Sequence, residues 1–150
     1  MRIRDIFRKT GAIKKTMANK LYPKTKKQLL LAGIDLSAVN VRALLVDTAA
    51  YTYDDAHDFI DDIPSGARIA VSGNLTGKSF GDDGSFDTDD PVFTGVSGAS
   101  IEAIVLYVHT GTESTSRLIM HQDTGVDGLP LTPDGNDVQI TVDDAGWFIL

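Results

Sequence analysis

The run SIEAIVLYVHT, Ser100 to Thr110, constrains the fold more than any other stretch of this chain. At the period of two that a pleated strand imposes, Ile101, Ala103, Val105, Tyr107 and His109 fall on one face. Glu102, Ile104, Leu106 and Val108 fall on the other, so both faces are apolar near the middle. Such a strand has to be buried on both sides, which requires a layered β domain around it. A Gly-containing turn, Gly111 to Ser114, follows and leads into SRLIMHQD, the pattern of a hairpin.

The rest of the chain reads consistently with that strand. NVRALLVD, from Asn40 to Asp47, is a mostly apolar strand ending at an acidic turn. ARIAVSGNL, TGKSF and DPVFTGVSG are strand-length runs punctuated by turn residues. DVQITV, Asp137 to Val142, alternates and passes through DDAG into WFIL, Trp147 to Leu150. DDGSFDTDD, between these runs, reads as an acid-rich loop.

Two segments carry helical signals. Pro23 at a first turn and Gly33 after Ala32 bracket a short helix in PKTKKQLLLAGI. Tyr53, His57 and Ile60 fall near one helical face in YTYDDAHDFIDDI, which Pro64, Ser65 and Gly66 stop. The expectation is a mainly β chain: a single β-sandwich or open barrel over residues 23–150, with one or two short N-terminal helices. An extended basic arm, residues 1–22, precedes it.

Charge separates these two parts. Residues 1–28 hold ten of the fourteen Lys and Arg residues and a single acid, Asp5, a balance of +9. Residues 29–150 hold four cations and twenty acids, a balance of −16, which accounts for the overall −7. So uneven a division points to a basic segment and an acidic body that meet different partners. The candidate partner-docking residues are Arg2, Arg4, Arg8, Lys9, Lys14, Lys15, Lys20, Lys24, Lys26 and Lys27. Nucleic acid is the weaker candidate partner, because the acidic body repels a long duplex and only Phe7 and Tyr22 are at hand to stack on bases.

Catalytic chemistry has little support. There is no cysteine, which removes disulfides, thiolate metal sites and cysteine nucleophiles together. HExxH, GxSxG, phosphate-binding and dinucleotide-binding signatures are absent. His57, His109 and His121 have no diagnostic spacing, although His109 and His121 are expected close together across the hairpin. Asp82, Asp83, Asp87, Asp89 and Asp90 suggest calcium, but they lack the spacing of an EF-hand loop and suit ordinary turns better. Asn74, Leu75 and Thr76 form an N-x-T triplet without a secretory signal beside it, which gives it no assigned role. No catalytic residue, metal or cofactor is expected, and no run reaches the roughly 20 apolar residues of a membrane span.

From Met17 onward the sequence resembles a family of small proteins encoded among the head and tail structural genes of tailed bacteriophages. The phrases that carry the resemblance are MANKLYPK, IDLSAVNVRALLVDTAAYTYDDAHDFIDDIPSGARIA, LTGKSF, GSFDTDDPVFTGVSG and EAIVLYVHTGTESTSRLIMHQDTGVDGLPLTPDGNDVQITV. Residues 1–16 lie outside it, and the acidic DDAGW stands where the family pattern has a glycine-rich turn with a basic residue. The resemblance implies a non-enzymatic virion component, made in the host cytoplasm: a capsid decoration protein, a head fibre or a minor tail protein. Its implied partners are the major capsid protein or another virion protein, with self-association in symmetric copies. A carbohydrate-binding module is the alternative from another class, with Trp147, Tyr51 or Tyr53 as a stacking platform.

Overall fold

A computed structural model describes residues 20–150. Over them the chain is mainly β, with three antiparallel sheets and one α-helix. In chain order the elements are β1 (Lys20–Leu21), α1 (Pro23–Leu30), β2 (Val41–Val46), β3 (Arg68–Val71), β4 (Ser79–Phe80), β5 (Ser85–Asp87), β6 (Val92–Phe93), β7 (Ala103–Val108), β8 (Leu118–Gln122), β9 (Val138–Gln139) and β10 (Phe148–Ile149). Short 3-10 turns occupy Ile60–Asp62, Ser65–Ala67 and Glu113–Thr115.

The doubly apolar run forms β7, the middle strand of a five-stranded sheet in the order β1-β8-β7-β2-β3, and every β7 residue is buried. Its two faces feed two separate cores. On one, Ile104 and Leu106 join Ala43 and Leu45 of β2 and pack with Phe86, Phe93 and Trp147. Those three belong to or adjoin the smaller sheets β10-β5-β4 and β6-β9. On the other, Val105 and Tyr107 join Leu44 and Val46 and are covered by Tyr22, Tyr51, Ile60 and Ile63. Each fully buried Leu, Ile or Val contributes about 1.5–3 kcal/mol, so the central pair β2–β7 anchors both layers.

The expected hairpin forms between β7 and β8, with Gly111 at φ +90° in the connection. Lys20 and Leu21, which the sequence reading assigned to the arm, pair with His121 and Met120 of β8. Tyr22 after them is fully buried. These residues are therefore part of the β body.

Helix α1 starts with Pro23 at its first turn, as expected, and is pinned inward by Thr25, whose hydroxyl donates to the Leu118 carbonyl. Its end differs from the expectation in one respect. Ala32, not Gly33, takes the left-handed conformation, at φ +55°, while the Gly33 N–H donates to the Gln28 carbonyl at 2.8 Å.

The helix expected over Tyr51–Ile63 does not form. Aspartates divert its backbone donors: Asp54 accepts from the Ala56 N–H at 2.7 Å, and Asp62 accepts from the N–H groups of Asp58 at 2.6 Å and Phe59 at 3.1 Å. Side chains that bond local N–H groups compete directly with the helical ladder. What remains is an irregular segment closed by the 3-10 turn at Ile60–Asp62. Arg117 fastens it to the sheet by pairing with Asp58 and lying 4.6 Å from the Phe59 ring centroid.

Two further readings need adjustment. DDGSFDTDD contains β5, because Phe86 is buried between the rings of Phe80 and Phe148, at 5.4 and 5.5 Å. Of the strand expected over Asp137–Val142, only Val138–Gln139 pairs, with β6.

Candidate docking surface

The candidate residues Arg2, Arg4, Arg8, Lys9, Lys14 and Lys15 lie outside the described residues. Lys20, Lys24, Lys26 and Lys27 are described, and the structure gathers them at one edge of the molecule, on the edge strand β1 and the helix that follows it. Because Thr25 faces inward, its neighbours Lys24, Lys26 and Lys27 are carried outward, and all four lysines are exposed.

Their immediate partners are weak. Lys20 lies 4.9 Å above the Tyr53 ring centroid, a cation–π contact worth about 0.5–1 kcal/mol at an exposed site. Lys24 reaches Asp58 at 3.9 Å with half of its side chain still exposed, a pair that solvent screens heavily. Lys26 and Lys27 make no ion pair among the described residues. Lys27 sits in the last turn of α1, where a cation favours the negative end of the helix dipole. The cluster thus presents ammonium groups that a carboxylate-bearing surface can engage at little cost.

Beside the lysines, a groove of about 930 Å³ opens between the β1–β8 edge of the large sheet and β10 of the three-stranded sheet. Leu21, Met120, Trp147 and Phe148 supply apolar wall, and Ile149 and Leu150 stand on the rim, 53% and 66% exposed. Lys20 and Lys26 contribute cations to the wall, and Asp55 and Asp143 contribute acids. The sequence held a sign of this opening. WFIL is four consecutive apolar residues, so both faces of the strand are apolar, and its last two residues, Ile149 and Leu150, are left exposed.

Beneath β1 lies a polar chain within the second core. The Tyr22 and Tyr51 hydroxyls are 2.9 Å apart, and the Tyr51 hydroxyl is 2.9 Å from His57 Nδ1. Burial pushes the Tyr22 hydroxyl well above the ordinary tyrosine range and raises that of Tyr51, so both stay protonated and available as donors. His121 sits alongside, its ring 5.3 Å from Tyr53 and 6.2 Å from Tyr51. It is buried, its Nε2 has no hydrogen-bond partner among the described residues, and burial holds its pKa below the ordinary histidine value.

The expected pairing of His109 with His121 is not found. His121 lies opposite Val105, four residues before His109 in the same strand run, and His109 instead packs edge-on against Tyr107. A one-residue irregularity in the β7–β8 register, between Leu106 and Tyr107, separates them further.

The acidic positions are used within the fold. Asp83 builds a turn by accepting from the Ser85 N–H, whereas Asp90 and Asp137 accept across the fold from the N–H groups of Val142 and Gly95. Among the described residues no group of three or more His, Asp or Glu side chains is arranged to hold a metal ion. The side chain of Asn74, in the N-x-T triplet, accepts from Arg42 Nε at 2.8 Å. Trp147, the first choice for a sugar-stacking platform, is buried with its indole N–H donating to Thr88 Oγ1 at 2.8 Å. At 7% exposure it is no open stacking platform, although it contributes to the groove wall; Tyr51 is buried as well, and Tyr53 is half-buried with Lys20 over its ring. No helix of the described residues is long and apolar enough to cross a membrane. The chain matches no protein-family model and no curated protein sequence at a significant level.

Proposed function

We propose that this chain is a non-enzymatic structural component of a tailed-phage particle, of the capsid decoration type, whose basic N-terminal segment docks on the major capsid protein. The observation that carries the reading is the charge division. Ten cations fall within the first 28 residues, and the four of them that are described stand on one exposed edge of a body that is otherwise strongly acidic. A surface of that kind suits attachment to an acidic protein face, and many weak attachments on a symmetric shell sum to firm binding.

The packing of the three sheets suits the same role. We read it as an open sandwich, in which the five-stranded sheet is one layer and the two small sheets are the other. The family resemblance over residues 17–150 supplies the particle context, and with it the virion as the place of action.

The test is deletion of residues 1–16 followed by assembly and purification of particles. The truncated chain is expected to stay in the unassembled fraction, and attachment of the full-length chain is expected to weaken as salt rises, since exposed charges are screened beyond about 10 Å at 0.1 M. Incorporation of the truncated chain at the normal level refutes arm-mediated docking.

A further inference from the structure

We infer that the groove between β1 and β10 is the seat of this chain's own N-terminal segment, with Ile3, Ile6 and Phe7 as the side chains that enter it. The inference concerns the free chain and stands apart from the docking reading above.

The groove itself provides the first support. It is too apolar to be left open without consequence: Leu21, Met120 and Phe148 line it, and Ile149 and Leu150 expose most of their side chains at its rim. Exposed apolar surface collected in a concavity is the form of a site that receives something.

The second support is where the described chain begins. Lys20 is both the first described residue and a wall residue of the groove, so the preceding segment starts at its mouth. From Phe7 to Lys20 the backbone can span up to about 40 Å when extended, far more than is needed to fold back.

The third is the sequence of that segment. Ile3, Ile6 and Phe7 are spaced i, i+3, i+4, the spacing that brings three apolar side chains to one side of any helical turn formed on binding. An amphipathic turn laid into an apolar groove is a common recognition mode.

Charge favours the same occupant. Residues 1–19 carry six cations and one acid, whereas residues 20–150 carry eight cations and twenty acids, so the two parts attract at +5 and −12. Within the groove wall Lys20 and Lys26 balance Asp55 and Asp143. The apolar contacts therefore fix the seat, while the net field keeps the segment near it. Attachment decides between this chain and a second copy, because a tether of this length gives an effective concentration of about 1 mM, above any ordinary solution concentration of free chains.

The test uses the full-length chain and a full-length I3S/I6S/F7S variant with unchanged charge. The readouts are the Met120 methyl and Trp147 indole resonances, the latter unambiguous because the chain has one tryptophan. Both signals are expected to move in the variant. Trypsin cleavage after Arg8 and Lys9 is expected to speed up, by the ratio of an effective concentration of about 1 mM to the segment's intrinsic Kd. Ile149→Lys, at an exposed rim position where folding is not at stake, is expected to release the segment equally. Superimposable spectra and equal cleavage in all three chains overturn the inference. Release by salt without release by the serine variant also overturns it, since charge alone is then the holder. Shifts that vanish on dilution, together with dimers in sedimentation, overturn it in favour of a second copy.

Discussion

The hydroxyl chain under β1 makes a quantitative prediction about stability. Run in the direction Tyr22 to Tyr51 to His57 Nδ1, both hydroxyl protons are used, across two contacts of 2.9 Å. Tyr22 is fully buried and Tyr51 is its hydroxyl's one partner among the described residues, whereas His57 is only half-buried and water can reach it. Tyr51→Phe therefore strands the Tyr22 hydroxyl, at a cost of about 1–3 kcal/mol for an unsatisfied buried group. Tyr22→Phe leaves Tyr51 bonded to His57 and costs about 0.5–1.5 kcal/mol, the net worth of one hydrogen bond. In the double variant no hydroxyl is left stranded, so its cost is expected to be no greater than that of Tyr51→Phe alone. The coupling between the two sites is then about 1 kcal/mol or more. Urea unfolding of the four chains measures it, provided the slope with denaturant is the same in each. Costs that simply add, within about 0.5 kcal/mol, refute the stranded-hydroxyl argument.

Three further perturbations test other parts of the fold. Gly146→Ala is expected to destabilise by about 2 kcal/mol or more, because a left-handed φ of +87° disfavours any Cβ and this one stands 2.5 Å from the Phe86 carbonyl oxygen; thermal unfolding reads it. Ala32→Gly should have the opposite sign, stabilising by up to about 1 kcal/mol, since Ala32 holds φ +55° at the end of α1; an unchanged or lower midpoint in urea contradicts the cap geometry. His121 is expected to make stability depend on pH. Its folded pKa lies below the unfolded value of 6.5 because burial disfavours the charged ring, so the unfolded chain binds the extra proton. Stability is full above pH 6.5 and falls, by at most about 1.4 kcal/mol per pH unit, as pH drops from there through the folded pKa. The difference between the wild-type and His121→Leu curves isolates this group, and parallel curves between pH 5 and 7 contradict its neutral burial.

What could be read from the sequence was set by where burial and local chemistry agree. β2 and β7 were legible because their residues are apolar on both faces and both faces are covered, so pattern and packing carry the same message. The segment Tyr51 to Ile63 was misread because Tyr53, His57 and Ile60 satisfy a helical period, while Asp54 and Asp62 take the very N–H groups that a helix needs. β5 was hidden for the converse reason. Its acids dominate the local composition, but one aromatic, Phe86, decides its place by packing between Phe80 and Phe148 on strands before and after it. The His109–His121 pairing failed on strand register: His121 pairs with Val105, four residues short of His109, and flanking a hairpin does not fix which residues of its two strands face each other. The groove depends on four segments remote in sequence: β1 with the start of α1, the stretch holding Tyr53 and Asp55, the end of β8, and the WFIL strand with the turn before it. Of these only WFIL, apolar on both faces, carries a sign in the sequence, and only the fold brings the segments around one opening. The docking cluster lies between these extremes: its lysines were named from charge alone, but their arrangement around α1 follows from Thr25, a small polar residue whose inward turn no composition signal marks.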